Sequence, residues 1–193
     1  MEKTILVTGG ARSGKSHFAQ ELAVKSGKQV LFVATAEAGD AEMRQRIKAH
    51  QLSRPAIWGT LEVTTNVGSE ILKKAGGSTR RSLDAGKVQL VIVDCITMLV
   101  NNVFNRHADR TLEQIDAALA EKEVVREIGE LINCFNRLDA TFILVTNEVG
   151  MGLVPANPID RLYRDLLGKA NRLLAEQVDE VYLMVSGLPV RIK

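Results

Sequence analysis

The sequence predicts an α/β fold: a mostly parallel sheet covered by helices, with a C-terminal antiparallel hairpin. Three observations carry this. Short, continuously apolar runs recur at 4–8, 29–35, 88–95 and 141–150, and strands of that kind are buried on both faces. Helix-like segments separate them, the alternation expected of a parallel sheet with crossover helices. The last stretch, "EVYLMVSGLPVRIK" (180–193), is two β-rich runs broken at Ser186-Gly187, which reads as a hairpin.

Taken in order, "TILVT" (4–8) is a strand ending in glycines, and "KSHFAQELAVKSG" places Phe18, Ala19, Leu22 and Ala23 on one helical face with Gly27 as the C-terminal cap. "QVLFVAT" (29–35) is the second buried strand, and "GDAEMRQRIKAHQ" is a polar helix with Asp40 as its N-cap. "LSRPAIWGTLEVTTNVG" is irregular, followed by a short helix over about 69–75 and a polar loop, "GGSTRRSLDAG" (76–86). "VQLVIVDC" (88–95) is the most apolar strand and ends in an aspartate. A long helix is expected from about Thr111 to Leu138, then the strand "TFILVTNEVG" and the helix "PIDRLYRDLLGKANRLLAEQ".

The chain of 193 residues, 46% hydrophobic and 25% charged, suits one globular domain over 1–193. A formal charge of +2 and 4% aromatic residues argue against the basic, ring-bearing surface of a nucleic-acid binder. Two distant cysteines, Cys95 and Cys134, argue against a zinc site or a disulfide framework and fit a reducing compartment. No apolar run reaches the length of a membrane span or a secretory signal, so the expectation is a cytoplasmic protein.

"GGARSGKS" (9–16) satisfies G-x-x-x-x-G-K-[ST] in full, and it stands between a strand and a helix, as a phosphate-binding loop must. Gly9, Gly10, Ala11, Arg12, Ser13 and Gly14 would let the backbone curl so that successive N–H groups face phosphate oxygens. Lys15 would reach the β- and γ-phosphates and Ser16 would bind Mg²⁺. Asp94, at the end of "VIVDC", is the acidic candidate near the metal, although a strand-end aspartate also caps turns. Asn147 and Glu148 in "TNEVG" are a second polar strand end, and ligands gather at carboxyl ends in open α/β sheets. The residues alone say P-loop enzyme; kinases, ATPases and GTPases all stay open.

Beyond the loop, "ILVTGGARSGKS" (5–16), "VLFVAT" (30–35), "RIKAHQLSRPAIWGTLE" (46–62), "VIVDCIT" (91–97), "LVTNEVGMGLVP" (144–155) and "VDEVYLMVSGLPVRIK" (178–193) together resemble the bifunctional adenosylcobinamide kinase / adenosylcobinamide-phosphate guanylyltransferase family. The likeness spans the chain in order and is weakest between 63 and 87. It implies a RecA-like P-loop fold, a homotrimer, and two reactions. In the first, ATP or GTP phosphorylates the aminopropanol hydroxyl of adenosylcobinamide. In the second, GMP passes from GTP onto a histidine and then to adenosylcobinamide phosphate. The family's guanylylated histidine precedes an Arg-Pro pair, a Trp and a Glu; here these are His50, Arg54-Pro55, Trp58 and Glu62, so the resemblance gives the role to His50. His17 is then a surface or packing residue and His107 an exposed one. The family's nucleotide positions correspond here to Ala34, Thr35, Ala36, Gln51, Leu52, Ser53, Arg54, Glu62 and Asp94, which leaves Asp94 shared between metal and nucleotide. No residue stands out as base for the kinase step; Asp94 and Glu148 are the candidates.

A neutral imidazole suits this chemistry, because its ring nitrogen can attack phosphorus near pH 7 without a strong base. Two other readings stay open. One is a P-loop kinase in which His50 is never modified. The other is a RecA-like ATPase module that binds nucleic acid or a protein partner, which the near-neutral charge and the scarcity of aromatics oppose.

Overall fold

The computed structural model describes residues 2–37, 39, 44–45, 51, 54–76, 87–109 and 114–193. Seven strands form one sheet: β1 (Thr4–Gly9), β2 (Val30–Ala34), β3 (Gly59–Glu62), β4 (Leu90–Asp94), β7 (Thr141–Val145), β8 (Glu180–Val185) and β9 (Leu188–Arg191). Their order is β3-β2-β4-β7-β1-β8-β9, parallel throughout except for the antiparallel β8–β9 pair. This is the architecture the apolar runs predict. The hairpin turns where expected, with Ser186 at φ 51° and Gly187 at φ 86°, two left-handed residues whose twist matches the flanking strands.

Alternation along the central strands sorts the core into two layers. Leu6, Leu31, Val33, Val91, Val93, Phe142 and Leu144 face α2 (Val67–Gly76), α3 (Ile96–His107), α4 (Ala117–Arg137) and α5 (Pro158–Gln177). Ile5, Val7, Val30, Phe32, Leu90, Ile92, Ile143 and Val145 face the other way, toward α1 (Lys15–Ser26), where Ala19 and Ala23 are buried and Phe18 and Leu22 pack. Each fully buried aliphatic side chain in these layers contributes about 1.5–3 kcal/mol.

Two helices depart from expectation. The helix expected from 111 begins at Ala117, because the Asp116 carboxylate accepts the Leu119 N–H at 3.0 Å and caps it. Just before it, β6 (Gln114–Ile115) pairs antiparallel with β5 (Ala108–Asp109); residues 111–113 lie outside those described. The second departure is α3, which the sequence reading omits. It buries Ile96, Thr97, Leu99, Val100, Asn102, Val103 and Phe104, two of them polar. The "irregular" stretch also contains β3, an edge strand whose half-exposed residues show no alternation. Of the polar helix around 40–51, only Arg44, Gln45 and Gln51 are described within it as helical, and the polar loop after Gly76 lies outside the described residues.

α2 is docked on α4 by backbone proximity. Glu127, 1% exposed, accepts the Asn66 N–H at 2.8 Å and an Arg126 N–H at 2.9 Å, so a buried carboxylate caps the start of α2. One residue into that helix, a Cβ on Gly68 would meet the Glu130 carbonyl carbon at 2.6 Å and the Leu131 nitrogen at 2.9 Å. Neither is the end of a flexible chain. Gly68→Ala is therefore expected to cost about 1–3 kcal/mol as the helices are forced apart, read as a lowered urea midpoint.

Candidate active site

The loop joining β1 to α1 is built by its backbone. Gly9 has φ 147°, and a Cβ there would lie 2.6 Å from the Met184 carbonyl oxygen and 2.9 Å from Ser13 Oγ. Gly14, φ 92°, is the left-handed N-cap of α1 and has no side chain to cap with. Arg12 is left-handed too, at φ 56°, so the chain reverses repeatedly within a few residues. The loop is held from outside by Gly187 N–H donating to Ser13 O at 3.1 Å and Glu148 N–H donating to Gly9 O at 2.9 Å. The tip of the C-terminal hairpin thus braces it.

Lys15 is 7% exposed. Its Nζ donates to Gly10 O at 2.5 Å and approaches Ser13 Oγ at 3.4 Å. Burial pulls its pKa below the ordinary lysine value, and Cys95 and Asp94 oppose that shift. No acidic residue stands in the first turn of α1, so nothing there competes with an anion for the helix's positive end.

Asp94 ends β4, in register with Ala34 on one side and Val145 on the other. Thr35, fully buried, ties these strand ends: its hydroxyl donates to Cys95 O at 2.6 Å and accepts Cys95 N–H at 2.8 Å. The Cys95 thiol is pushed up to about 12, by burial and by Asp94, so it stays protonated.

A cleft of about 1210 Å³ opens above these strand ends, room for a nucleotide and part of a second ligand. Its wall brings together Ala11, Arg12, Ser13, Gly14, Lys15 and Ser16 of the loop with Ala34, Ala36, Arg54, Glu62 and Asp94. Gly9, Gly10, Thr35 and Gln51, expected at the nucleotide, are not among the residues that line it. Gln51 donates to Glu62 Oε1 at 2.8 Å. Arg54 lies with its guanidinium 3.7 Å above the Phe32 ring, and Trp58 stacks near that ring at 6.5 Å. Burial lowers the Arg54 pKa, while Asp94 and Glu62 act against it; its buried Nε has no hydrogen-bond partner among the described residues. His50, Leu52 and Ser53 lie outside the described residues.

The other histidines separate. His17 lines the mouth of the cleft, exposed, 3.1 Å from Glu21. His107 is not exposed as expected: it is mostly buried, with Nε2 at 2.5 Å from Glu123, because α3 and α4 pack there. Glu148 turns to its own loop and accepts the Gly150 N–H at 2.6 Å.

Sequence reasoning missed the far wall, Val63, Thr64 and Thr65 with Met98. It is suspended from α3. Asn102 donates to Thr35 O at 2.8 Å and Thr64 O at 3.0 Å, and Arg106 donates to Thr65 Oγ1 at 2.6 Å. An asparagine in an apolar helix is the one trace this leaves in the sequence. No cluster of three or more metal-ligating side chains occurs among the described residues.

Residues 5–192 match the cobinamide kinase / cobinamide phosphate guanyltransferase family. A protein of Salmonella typhimurium named bifunctional adenosylcobalamin biosynthesis protein CobU is 42% identical over 98% of this chain and 99% of its own. Its namesake from Escherichia coli is 39% identical over the same shares. The Pseudomonas aeruginosa protein CobP is 36% identical over 97% and 96%. Among solved structures, a Pyrococcus horikoshii protein superposes with a TM-score of 0.55 at 12% identity over 99% of this chain and 86% of that one. The type III secretion ATPase EscN gives 0.54 at 11% identity, over 96% and 43%. These two likenesses speak for the P-loop NTPase fold alone.

Proposed function

The chain belongs to the cobinamide kinase / cobinamide phosphate guanyltransferase family, and from that premise we propose how its cleft serves both reactions. The observation that carries the proposal is one cleft wall uniting Lys15 and Ser16 with Asp94, Arg54 and Glu62. In the kinase reaction, loop N–H groups and Lys15 hold the triphosphate of ATP or GTP. The adenosylcobinamide hydroxyl oxygen bonds to the γ-phosphorus, the bond to the bridging oxygen breaks, and the diphosphate keeps the electron pair. Positioning and charge neutralisation do most of this work.

In the guanylyl reaction, a ring nitrogen of His50 attacks the α-phosphorus of GTP and pyrophosphate leaves while Lys15 and the loop still bind it. A phosphate oxygen of adenosylcobinamide phosphate then displaces the imidazole and yields adenosylcobinamide-GDP. Gln51, the next residue in the sequence after His50, donates to Glu62. Glu62 suits a ribose hydroxyl or a guanine N–H, and Arg54, fixed on Phe32, suits a phosphate oxygen.

Hard oxygen donors fit Mg²⁺: Ser16 would hold it and Asp94 would face it, and the ion supplies neutralisation of phosphate charge. No described helix is long and apolar enough to cross a membrane, in keeping with a cytoplasmic enzyme. Exposed Met151, Leu153 and Val154 suit coverage by another copy in a homotrimer.

The test is incubation with Mg²⁺ and GTP labelled at the α- or the γ-phosphate. Retention of α label after denaturation, stable in alkali and lost in acid, together with γ label on adenosylcobinamide, is the expected result. No retained α label, with γ label still transferred, would reduce the protein to a kinase.

A further inference from the structure

Asn147 stands two residues beyond Val145, whose partner across the sheet is Asp94. It lines the cleft together with Asp94. Both polar groups of its backbone are hydrogen-bonded. The Asn147 N–H donates to Thr97 Oγ1 at 2.7 Å, and its carbonyl accepts from Asn171 Nδ2 at 2.9 Å. On either side, Thr146 N–H donates to Val7 O at 3.0 Å and Glu148 N–H to Gly9 O at 2.9 Å, tying the segment to the start of the phosphate loop.

Behind it runs a closed polar circuit. Thr146, fully buried, donates to Asn171 Oδ1 at 2.7 Å and lies 3.5 Å from Thr97 Oγ1. Tyr163 donates to the Thr97 carbonyl at 3.2 Å. A buried network satisfied in this way specifies one arrangement, yet none of its bonds uses the Asn147 amide. Thr146 points toward α3 and α5, whereas Asn147 lines the cleft with Lys15 and Asp94. A side chain whose backbone is fastened at both ends while its own amide bonds no described residue is prepared for a ligand.

We infer that Asn147 is a substrate-positioning residue of the phosphoryl-transfer step, contacting the γ-phosphoryl group and the incoming hydroxyl. An amide carries both partners this requires: Nδ2 donates to a phosphoryl oxygen while Oδ1 accepts from the alcohol. Being neutral, it is not repelled by the triphosphate, and it takes no proton; it aligns the hydroxyl for in-line attack. Aligning the incoming hydroxyl is a task of the kinase step alone, which separates this role from guanylyl transfer. Arg54 and Glu62 lie on the β2–β3 side of Asp94, whereas Asn147 lies on the β7–β1 side, beside the loop. The inference rests on the functional reading above.

Asn147→Ala and Asn147→Asp test it, assayed for γ transfer to adenosylcobinamide and, separately, for retention of α label from GTP. Kinase kcat is expected to fall about 10–100-fold in both variants, with nucleotide KM within about three-fold, α-label retention unchanged and the thermal midpoint unmoved. The aspartate should be no better than alanine, since it loses the donor and opposes the phosphates. Unchanged kcat in both variants, or a raised KM at constant kcat, overturns the role of Asn147. Equal losses in both reactions together with a lowered midpoint also overturn it, by making the residue merely structural. A wild-type protein that does not phosphorylate adenosylcobinamide overturns the functional reading itself, a distinct result.

Discussion

Lys15→Met is expected to abolish both half-reactions, each by at least about 10²–10³-fold, while leaving the fold intact. Lysine and methionine are of similar shape, so packing is preserved. The difference is one ammonium, which in both steps faces the phosphate charge released when a bridging bond breaks. The same buried position makes the charge costly without a ligand: burial lowers the Lys15 pKa, so the folded state binds this proton less tightly than the unfolded chain does. That penalty is present in full below the lowered pKa and vanishes as pH rises above the ordinary lysine value. At neutral pH the variant should therefore be at least as heat-stable as the wild type. Thermal unfolding beside the two labelled-GTP assays checks both halves. Loss of activity accompanied by a lowered midpoint would point to a structural lysine instead.

His50→Ala is expected to divide the reactions. Retained α label should fall to background and adenosylcobinamide-GDP should no longer form, since no covalent carrier remains. The γ transfer to adenosylcobinamide should persist within a few-fold, because the phosphate loop, Lys15 and the β7–β1 side of the cleft are untouched. Liquid chromatography of the products with unlabelled GTP checks this: the variant should accumulate adenosylcobinamide phosphate. Adenosylcobinamide-GDP from the variant at the wild-type rate would remove His50 from the chemistry.

The phosphate loop was legible because its chemistry is local. Gly9, Gly14, Lys15 and Ser16 act through backbone torsions and spacing within eight residues, and a pattern of letters captures that. The buried strands were legible for a similar reason, since β2, β4 and β7 sit between two layers and must be apolar along their length. His50 needed more than local chemistry. A lone histidine near a polar helix carries no signal, and only the likeness of its surroundings, through Arg54-Pro55, Trp58 and Glu62, singled it out.

Other features were invisible because they depend on who meets whom. α3 mixes polar and apolar residues on its buried face, Thr97 and Asn102 among them, and only their partners in the fold account for that. His107 looked exposed among polar neighbours until Glu123, from another helix, closed on it at 2.5 Å. Asn102 holds the ends of two strands by a single amide, and Asn147 is set by partners drawn from β1, α3 and α5.

By itself, then, the sequence determined the layered sheet, the hairpin, the nucleotide loop and the family, all of which follow from runs and spacings along one stretch of chain. The tertiary structure alone decided which wall faces the loop and how Arg54 is held on Phe32. It also decided which polar side chain is left unspent in the cleft. Those are contacts between residues far apart in the chain, chosen by packing, and no period or motif encodes them.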